Sequence, residues 1–314
     1  MRRIALLTDQ DILGTPGLSS ARPRITARAV VVNPEGQLAL MYAAKFGIHT
    51  LPGGGVEEDE SIEAALRREI AEETGCTIAS IEPLGVIEEN RAHADYTQIN
   101  HYYIVRTADD TLHPHLTALE TENGTRVMWC SVDEAYERIA SPVFDRPQQK
   151  YLQTRDVKAL EAYRARESIR VVRVTPNTPL WPALTDYAQN CSWVAGPHLA
   201  GMLRENRFTD WEAVFAAVQD DQIIGCCTFL KTDYYPENRY WPWISSMFVG
   251  ENHRGQGVCG MLIAGAVRYA REQGFRWVYI PSDMTGFYER YGFTKIDELV
   301  NYGGDTDSVF ARDI

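Results

Sequence analysis

The sequence predicts an α+β protein built from two domains. Its 314 residues exceed what a single hydrophobic core ordinarily organises, so two domains are expected. Strand patterns alternate with helical patterns in both halves of the chain, and each half contains one glycine-rich turn that leads into a helical pattern. We therefore place a first domain at 1–147, a helical connector at 148–167 and a second domain at 168–314.

Composition and charge exclude several classes of protein. Hydrophobic residues make up 45% and charged residues 24% of the chain, which is typical of a globular protein. The net charge of −12 disfavours non-specific binding to nucleic acid phosphates. The 6 cysteines form no CxxC pair, so reduced thiols and a cytoplasmic location are expected. The opening residues are too acidic for a targeting peptide, and no apolar run is long enough to predict membrane association.

The first domain begins with strand patterns. Residues 25–32 and 37–42 predict a hairpin around the turn Asn33-Pro34-Glu35-Gly36. Further strands are predicted at 3–8, 81–88, 100–106 and 125–130.

The stretch LPGGGVEEDESIEAALRREIAEETGC, residues 51–76, predicts a glycine turn followed by a helix. Ser61 is placed to cap the helix, and Gly75 is placed to end it. Apolar residues recur at spacings of three and four, so one side of the helix packs on a core.

A second side of the same helix carries three carboxylates. Glu69, Glu72 and Glu73 lie at i, i+3 and i+4 and repel one another unless cations lie among them. Oxygen ligands of this kind suit Mg²⁺ or Mn²⁺. Arg68 lies one turn before Glu72 and can hold the cluster, while the glycine run that includes Gly54 lets backbone approach a phosphate or a metal. The alternative is a solvated acidic helix after a glycine turn.

The stretch fits the pattern G-x5-E-x7-R-E-U-x-E-E-x-G-U, where U is apolar. The matching residues are Gly54, Glu60, Arg68, Glu69, Ile70, Glu72, Glu73, Gly75 and Cys76. This pattern resembles the Nudix box. The resemblance implies an α/β/α sandwich with a mixed sheet and hydrolysis of a diphosphate bond in a nucleotide.

The resemblance also implies roles for individual residues. Glu73, Glu69 and Arg68 would be catalytic, and Mg²⁺ or Mn²⁺ would be held by Glu69, Glu72, Glu73 and Gly54. An additional ligand or base stays open among four acidic residues, which are Glu88, Glu89, Glu120 and Glu122. The His113-Pro114-His115 sequence is expected to be an exposed loop rather than a metal site.

The second glycine-rich turn opens the stretch HRGQGVCGMLIAGAVRYAREQGF, residues 253–275. An apolar face follows the turn at helical spacing, and Gly274 can end the helix. The free N–H groups at the start of such a helix, together with its dipole, favour an anion. A strand is predicted before this stretch at 243–249 and another after it at 277–281.

This order of elements resembles the GNAT acetyltransferase superfamily. Arg254 and Gly257 match its R-x-x-G-x-G/A loop, Cys259 departs from it, and Gly286–Phe293 resembles its F-Y-x-x-x-G-F segment. The resemblance implies a mixed α/β fold with a splayed central sheet and a loop that holds acetyl-CoA. The implied cofactor-binding residues are Met247, Phe248, Val249, Arg254, Gly255, Gln256, Gly257, Val258, Cys259 and Gly260.

The resemblance further implies that Tyr288 protonates the departing thiolate, although Tyr291 is an alternative. The general base stays open among Glu237, Asp233 and Asp283. The leading hypothesis is therefore a bifunctional enzyme that acts on a small nucleotide and on an amine, which is a small molecule or a protein. In a second hypothesis the first domain senses a nucleotide and regulates the acetyltransferase. In a third the second domain is degenerate and only binds CoA.

Overall fold

The computed structural model describes residues 1–109 and 114–314, and His113 lies outside them. Its residue contacts divide the chain into two compact units, Met1–Glu167 and Ser168–Ile314. In the described part of the chain, no helix combines the length and hydropathy that a bilayer span requires.

The first unit contains a mixed sheet. Its strands are β1 (Arg3–Thr8), β2 (Arg24–Val32), β3 (Leu38–Ala43), β4 (Ile48–Thr50), β5 (Gly53–Gly55), β6 (Thr77–Arg91), β7 (Tyr96–Asp109) and β8 (Thr125–Cys130). The main order is β1-β6-β7-β2-β3-β4, with β5 paired to β2 and β8 to β3. The pairs β1/β6 and β2/β7 are parallel, so the predicted mixed sheet is confirmed.

Helices cover both faces of this sheet. They are α1 (Asp9–Ile12), α2 (Ile62–Thr74), α3 (Ala118–Glu122), α4 (Val132–Ala140) and α5 (Pro147–Glu167). On one face, Leu66 and Ile70 of α2 pack against Ala27 and Ala29 of β2. Residues of α4 and α5 pack on the opposite face. Successive side chains of a strand point to opposite faces of the sheet, and β2 carries apolar side chains on both faces. Helices therefore pack on both sides.

The segment predicted as a connector, 148–167, lies within α5 and packs into the first unit. Tyr151 and Leu160 are buried in its core. Asp156 is also buried and accepts a hydrogen bond from the backbone N–H of Leu51 at 2.9 Å. The segment is mostly polar, which favoured the prediction of a connector. Several of its polar side chains are nevertheless buried and paired, so composition alone does not reveal the packing.

The second unit contains a seven-stranded sheet in the order β14-β15-β13-β12-β11-β10-β9. Its strands are β9 (Arg170–Val174), β10 (Ala213–Gln219), β11 (Gln222–Leu230), β12 (Trp243–Val249), β13 (Trp277–Ser282), β14 (Thr294–Val300) and β15 (Thr306–Asp313). Helices α6 (Leu180–Asn190) and α7 (Gly196–Arg204) pack on one face, and α8 (Val258–Glu272) packs on the other.

The sheet of the second unit splays between β12 and β13. These two strands are parallel, and the one register pair found between them in the described chain joins Trp243 to Tyr279. Beyond Trp243, β12 pairs with β11 on its other side as far as Val249. The edge of β12 that faces the splay is therefore open, which is the predicted form of the sheet.

Most predicted elements are present, with some differences in length. Strands β6 and β7 extend several residues beyond the predicted 81–88 and 100–106, because their outer residues are polar and lack an apolar alternation. Strands β14 and β15 were not predicted. The apolar residues of β14 and β15 do not form a clear strand pattern by themselves. The strands are defined by their pairing with each other and by the pairing of β15 with β13.

Candidate functional sites

Helix α2 has the predicted ends. The Ser61 hydroxyl accepts a hydrogen bond from the backbone N–H of Ala64 at 3.1 Å, and Gly75 ends the helix with φ of 67°. A positive φ of this size favours glycine, since other residues adopt it at a cost. Both ends of the helix are thus fixed by the residues expected from the sequence.

Arg68 lies at the centre of a group of oxygen atoms at the start of α2. Its guanidinium donates to Glu60 at 2.9 Å, to Glu69 at 2.8 Å and to the carbonyl oxygen of Gly55 at 3.1 Å. Glu72 lies within 3.4 Å of the same guanidinium. The hydrogen bond to Glu60 leads the contacts that raise the pKa of Arg68. Arg68 therefore ties the acidic face of the helix to the glycine turn.

Glu73 is directed away from Arg68 and into the unit. Its carboxylate accepts a hydrogen bond from the backbone N–H of Gly53 at 2.6 Å, and the residue is 8% exposed. Burial raises the pKa of Glu73 to about 8, with a smaller contribution from the nearby Glu69 carboxylate. Burial also raises the pKa of Glu69.

Gly54 leaves room for the Glu69 carboxylate. A Cβ atom built on Gly54 would lie 2.3 Å from Oε1 of Glu69. Glycine is thus required by close approach of a side chain rather than by a strained backbone. The glycine turn and the acidic helix fit together at this point.

Arg28 was missed by sequence reasoning. Its guanidinium donates to the carbonyl oxygen of Gly53 at 2.9 Å, and burial lowers the pKa of Arg28. The Oδ1 atom of Asn100 accepts from Arg28 at 3.3 Å. An arginine in the middle of an apolar strand pattern was the signal that could have indicated this contact.

The three predicted carboxylate ligands lie on one helix but do not converge, and the fourth predicted ligand, Gly54, lies on β5. Among residues 1–109 and 114–314, no three His, Cys, Asp or Glu side chains are arranged to hold a metal ion. Glu69 and Glu72 approach Arg68, whereas Glu73 approaches Gly53. The set of ligands stays a prediction.

The four additional acidic candidates differ in their surroundings. Glu89 is fully buried and paired with two arginine side chains. Glu88 is half-exposed and Glu122 is exposed, and each pairs with a basic residue. Glu120 is near enough to Glu73 to raise the pKa of that carboxyl. Glu120 is therefore the candidate that lies near the site.

In the second unit, the glycine-rich turn precedes α8 as predicted. Gly255 and Gly257 have φ of 72° and 78°, and Gly257 is the residue before the first turn of the helix. As the N-cap residue of α8, Gly257 has no side chain with which to cap the helix. The free N–H groups of a helix start form a site that suits an anion.

Other residues of this loop are held in place. Arg254 donates to the carbonyl oxygen of Val249 at 3.0 Å, and the Gln256 side chain donates to the carbonyl oxygen of Asn252 at 3.0 Å. A Cβ atom built on Gly260 would lie 2.6 Å from the Tyr291 ring. The loop thus packs closely against the segment that follows β13.

The remaining predicted residues surround the same place. Val258, the first residue of α8, is buried, and burial raises the pKa of the half-buried Cys259 to about 12. Met247 lines a cavity at the splay, while Phe248 and Val249 pair with β11. Sequence reasoning therefore gathered residues that the fold brings together.

The cavity has a volume of about 860 Å³ and lies where β12 and β13 diverge. Tyr288 lines it, is 6% exposed and has a pKa that burial raises. Asp233 and Asp283 also line the cavity, and Asp283 is exposed. Glu237 is outside the lining and pairs with Arg239.

Profiles of two protein families match the chain. The NUDIX domain profile matches residues 22–152, and the profile of the acetyltransferase (GNAT) family matches residues 180–293. The chain contains a NUDIX domain followed by a GNAT domain. Both domains belong to families of enzymes, which supports enzyme activity of both kinds.

Individual relatives cover one domain each. An acetyltransferase from Agrobacterium fabrum is 44% identical over 64 residues, which are 19% of this chain. The match spans only 47% of that relative's own length.

Two solved structures are similar to parts of the chain. A GNAT family acetyltransferase from Elizabethkingia anophelis with acetyl-CoA bound is 17% identical, covers 47% of this chain and 99% of its own, and has a TM-score of 0.33. A NUDIX hydrolase from Nitrosomonas europaea is 22% identical, covers 46% of this chain and 90% of its own, and has a TM-score of 0.36.

Two polar residues of the GNAT domain were missed from the sequence. The Ser245 hydroxyl donates to Asp233, and Asp307 accepts from the Tyr235 hydroxyl at 2.8 Å. All four residues line the cavity. They come from three separate segments of the chain, so no spacing in the sequence could have grouped them.

Proposed function

We propose that the protein is a bifunctional enzyme. Its NUDIX domain would hydrolyse a diphosphate bond in a nucleoside diphosphate-linked substrate with the help of Mg²⁺ or Mn²⁺. Its GNAT domain would transfer an acetyl group from acetyl-CoA to an amine. The observation that supports this proposal most directly is that each unit presents its family's motif on a formed loop and helix, with the polar side chains held in place.

The chemistry of the donor set fits a divalent cation. Glu69, Glu72 and Glu73 supply hard oxygen ligands, and the carbonyl group of Gly54 lies on the turn that Glu69 approaches. Burial raises the pKa of Glu69 and of Glu73, so keeping both carboxyl groups charged is costly, and a bound cation would offset that cost. When bound there, Mg²⁺ would neutralise charge on a phosphate and lower the pKa of a water molecule.

The residues of the NUDIX domain would divide the remaining work. Arg68 would hold Glu69 and Glu72 in position through the contacts described above, and Arg28 would hold the carbonyl side of Gly53. Glu73 would accept the proton of the attacking water, with Glu69 as the neighbouring carboxylate. These roles need no further side chain from outside the domain.

The GNAT domain fits acetyl-CoA at two places. The N–H groups of Arg254–Gly260 and the uncapped start of α8 would bind the pyrophosphate. The open edge of Met247–Val249 would bind the pantetheine arm. Acetyl-CoA would supply the activated acetyl group, and Tyr288 would donate a proton to the sulfur that leaves. Burial raises the pKa of Tyr288, so this phenol keeps its proton until a strong base accepts it.

The proposed partners are small molecules, namely a nucleotide and an amine. The proposed location is the cytoplasm, where cysteine thiols would stay reduced. We also propose that the NUDIX domain includes α5 and extends to Glu167, since that helix contributes to its core.

A metabolite screen tests both activities together. The full-length protein would be incubated with Mg²⁺, acetyl-CoA and a metabolite extract, and products would be followed by mass spectrometry. We expect loss of a nucleotide with release of a phosphorylated product, and formation of an acetylated amine. Tight nucleotide binding without turnover would instead support a sensor, and unchanged acetyl-CoA would contradict the transferase.

A further inference from the structure

The cavity at the splay of the GNAT domain is negatively charged. Asp233, Asp283 and Asp307 line it, and its described lining contains no lysine or arginine. In the described part of the chain, neither Asp233 nor Asp307 forms an ion pair. Asp233 and Asp307 are half-buried, and a bound cation would offset the cost of holding partly desolvated carboxylates without a counterion.

Asp233 is held in a defined position. The Ser245 hydroxyl donates to one of its oxygens, and the backbone N–H of Tyr234 donates to the other at 2.6 Å. Burial raises the pKa of Asp233, and the nearby Asp307 raises it further. A carboxyl group with a raised pKa is a better proton acceptor than an exposed one. The group is therefore both fixed and basic.

A buried hydroxyl lies on the strand next to Ser245. Thr228 is directly opposite Ser245 in the pairing of β11 with β12, and cross-strand partners share one face of a sheet. The Thr228 side chain is fully buried, and its hydroxyl oxygen has no hydrogen-bond partner among the described residues.

Aromatic rings form another wall of the cavity. Tyr234 and Tyr302 meet edge to face with ring centres 5.3 Å apart, and both are more than half exposed. Trp193 lines the cavity as well. Rings of this kind attract a cation through their faces and pack against an apolar body.

We propose that this cavity binds the acceptor amine as a cation without a carboxylate, and that Asp233 receives its proton. The inference rests on the proposed acetyl transfer and adds a substrate class to it. Asp307 and the tyrosine rings attract the positive charge, whereas a carboxylate on the acceptor is repelled by the three aspartates.

The protons and bonds balance as follows. The ammonium gives one N–H proton to Asp233, its nitrogen then bonds to the acetyl carbonyl carbon, and the carbon–sulfur bond breaks. A second N–H proton ends on the sulfur by way of Tyr288. Asp233 returns its proton to water, so an amide, a free thiol and one solvated proton are formed.

The test uses acceptors in matched pairs that differ by one carboxylate. Tyramine is compared with tyrosine, histamine with histidine, and 1,5-diaminopentane with lysine, using the full-length protein and thiol release from acetyl-CoA. We expect kcat/KM to be about 10²-fold higher for the member without the carboxylate in at least one pair, because the aspartates of the cavity repel the carboxylate of the other member. Equal rates within all pairs, faster transfer to the amino acids, or absence of transfer would overturn the inference.

Binding measurements separate this inference from the proposed function. Calorimetry with acetyl-CoA alone tests the transferase, since a protein that binds no acetyl-CoA loses the proposed function as well. Calorimetry with tyramine, histamine and 1,5-diaminopentane in the absence of acetyl-CoA tests the cavity. Binding of at least one amine that weakens about 10-fold in Asp307→Asn is expected, because one attracting charge is removed. Binding that does not change in this variant would contradict the role of Asp307.

Two variants locate the proton acceptor. Asp233→Asn should lower kcat for the preferred amine by about 10²-fold while leaving the dissociation constant of acetyl-CoA unchanged. Glu298→Gln is the matched control, since its carboxylate pairs with Lys295 at 2.6 Å outside the cavity. Wild-type kcat in Asp233→Asn would overturn the role of Asp233, and circular dichroism would verify that both variants are folded.

Discussion

The carboxylate of Glu73 accepts a hydrogen bond from the backbone N–H of Gly53, with a distance of 2.6 Å between the two atoms. The carbonyl oxygen of the same glycine accepts from the Arg28 guanidinium at 2.9 Å. Gly53 is therefore hydrogen-bonded to α2 through its N–H group and to β2 through its carbonyl oxygen. The turn is consequently a fixed part of the NUDIX domain, and the proposed hydrolysis depends on this clamp.

Glu73→Gln is expected to remove hydrolysis and to spare acetyl transfer. The amide keeps the shape and can still accept from Gly53, but it loses the charge that a metal and an attacking water require. We expect kcat for hydrolysis to fall on the order of 10²-fold or more. Formation of the nucleoside monophosphate and release of the thiol are measured on the same sample.

The matched control is Glu63→Gln on the same helix, whose exposed carboxylate pairs with Arg67 at 2.8 Å. Hydrolysis should be unchanged in this variant. Full hydrolysis in Glu73→Gln, or equal damage to both activities in a folded protein, would contradict two independent sites.

Gly54→Ala is expected to impair hydrolysis without unfolding the domain. The new methyl group would lie 2.3 Å from Oε1 of Glu69, so the flexible carboxylate has to move. A displacement of about 1 Å can cost roughly 10²-fold in rate, and a loss of this size is expected in kcat. Gly201→Ala is the control, because a Cβ atom there meets nothing within 4 Å. A rate unchanged by Gly54→Ala would show that Glu69 does not need its present position.

Asp156→Ala is expected to destabilise the NUDIX domain strongly. Its carboxylate pairs with the buried Arg155 at 2.8 Å and accepts from the N–H of Leu51. Removal leaves a buried guanidinium without its main partner, which costs about 3–5 kcal/mol. Hydrogen exchange of amides in β2 and α5 measures the free energy of unfolding. Glu161→Ala, an exposed position on the same helix, should change it by less than about 0.5 kcal/mol.

The stabilisation by Asp156 should depend on pH. Burial favours the neutral acid, but the Arg155 guanidinium outweighs it and holds the pKa of Asp156 below its usual value. A carboxyl group of this kind stabilises the fold above its unfolded pKa of about 3.9 and loses that effect as pH falls through the folded pKa. The advantage of the wild type over Asp156→Asn should therefore shrink between pH 5 and acid conditions, as measured by hydrogen exchange or urea unfolding. An advantage that grows at low pH would contradict the charged pair.

Tyr288→Phe is expected to lower acetyl transfer and to leave hydrolysis intact. The ring keeps its contacts with Phe287 and Phe310, so the domain stays folded while the phenolic proton is lost. We expect kcat to fall by about 10²-fold. Tyr291→Phe is the comparison, since it lies in the same segment. If only the second variant lost activity, Tyr291 would be the proton donor.

The sequence predicted those features that depend on neighbouring residues. The caps of α2 at Ser61 and Gly75 follow from local backbone chemistry, and the loop before α8 follows from the positive φ of Gly255 and Gly257. These patterns are short and do not require knowledge of the register of distant strands. They were sufficient to place both motifs on the correct elements.

Contacts between distant segments could not be predicted in the same way. Asp156 and Leu51 are 105 residues apart, and Ser245 reaches Asp233 only because a loop returns to β12. In the sequence, Arg28 only interrupts an apolar strand pattern. Its contact with Gly53 depends on the pairing of β5 with β2. Each contact depends on strand order or register, which single residues do not encode by themselves.

The hydrogen bond between Asp156 and Leu51 has a consequence for synthesis on the ribosome. The glycine turn and α2 leave the ribosome well before α5, yet the turn gains this buried partner only when α5 has emerged. The NUDIX domain therefore completes its folding late, when synthesis of the GNAT domain has already begun. On a ribosome stalled shortly after residue 147, the glycine turn would lack its hydrogen bond to Asp156. On a ribosome stalled well beyond residue 167, the exposed domain would be resistant to protease.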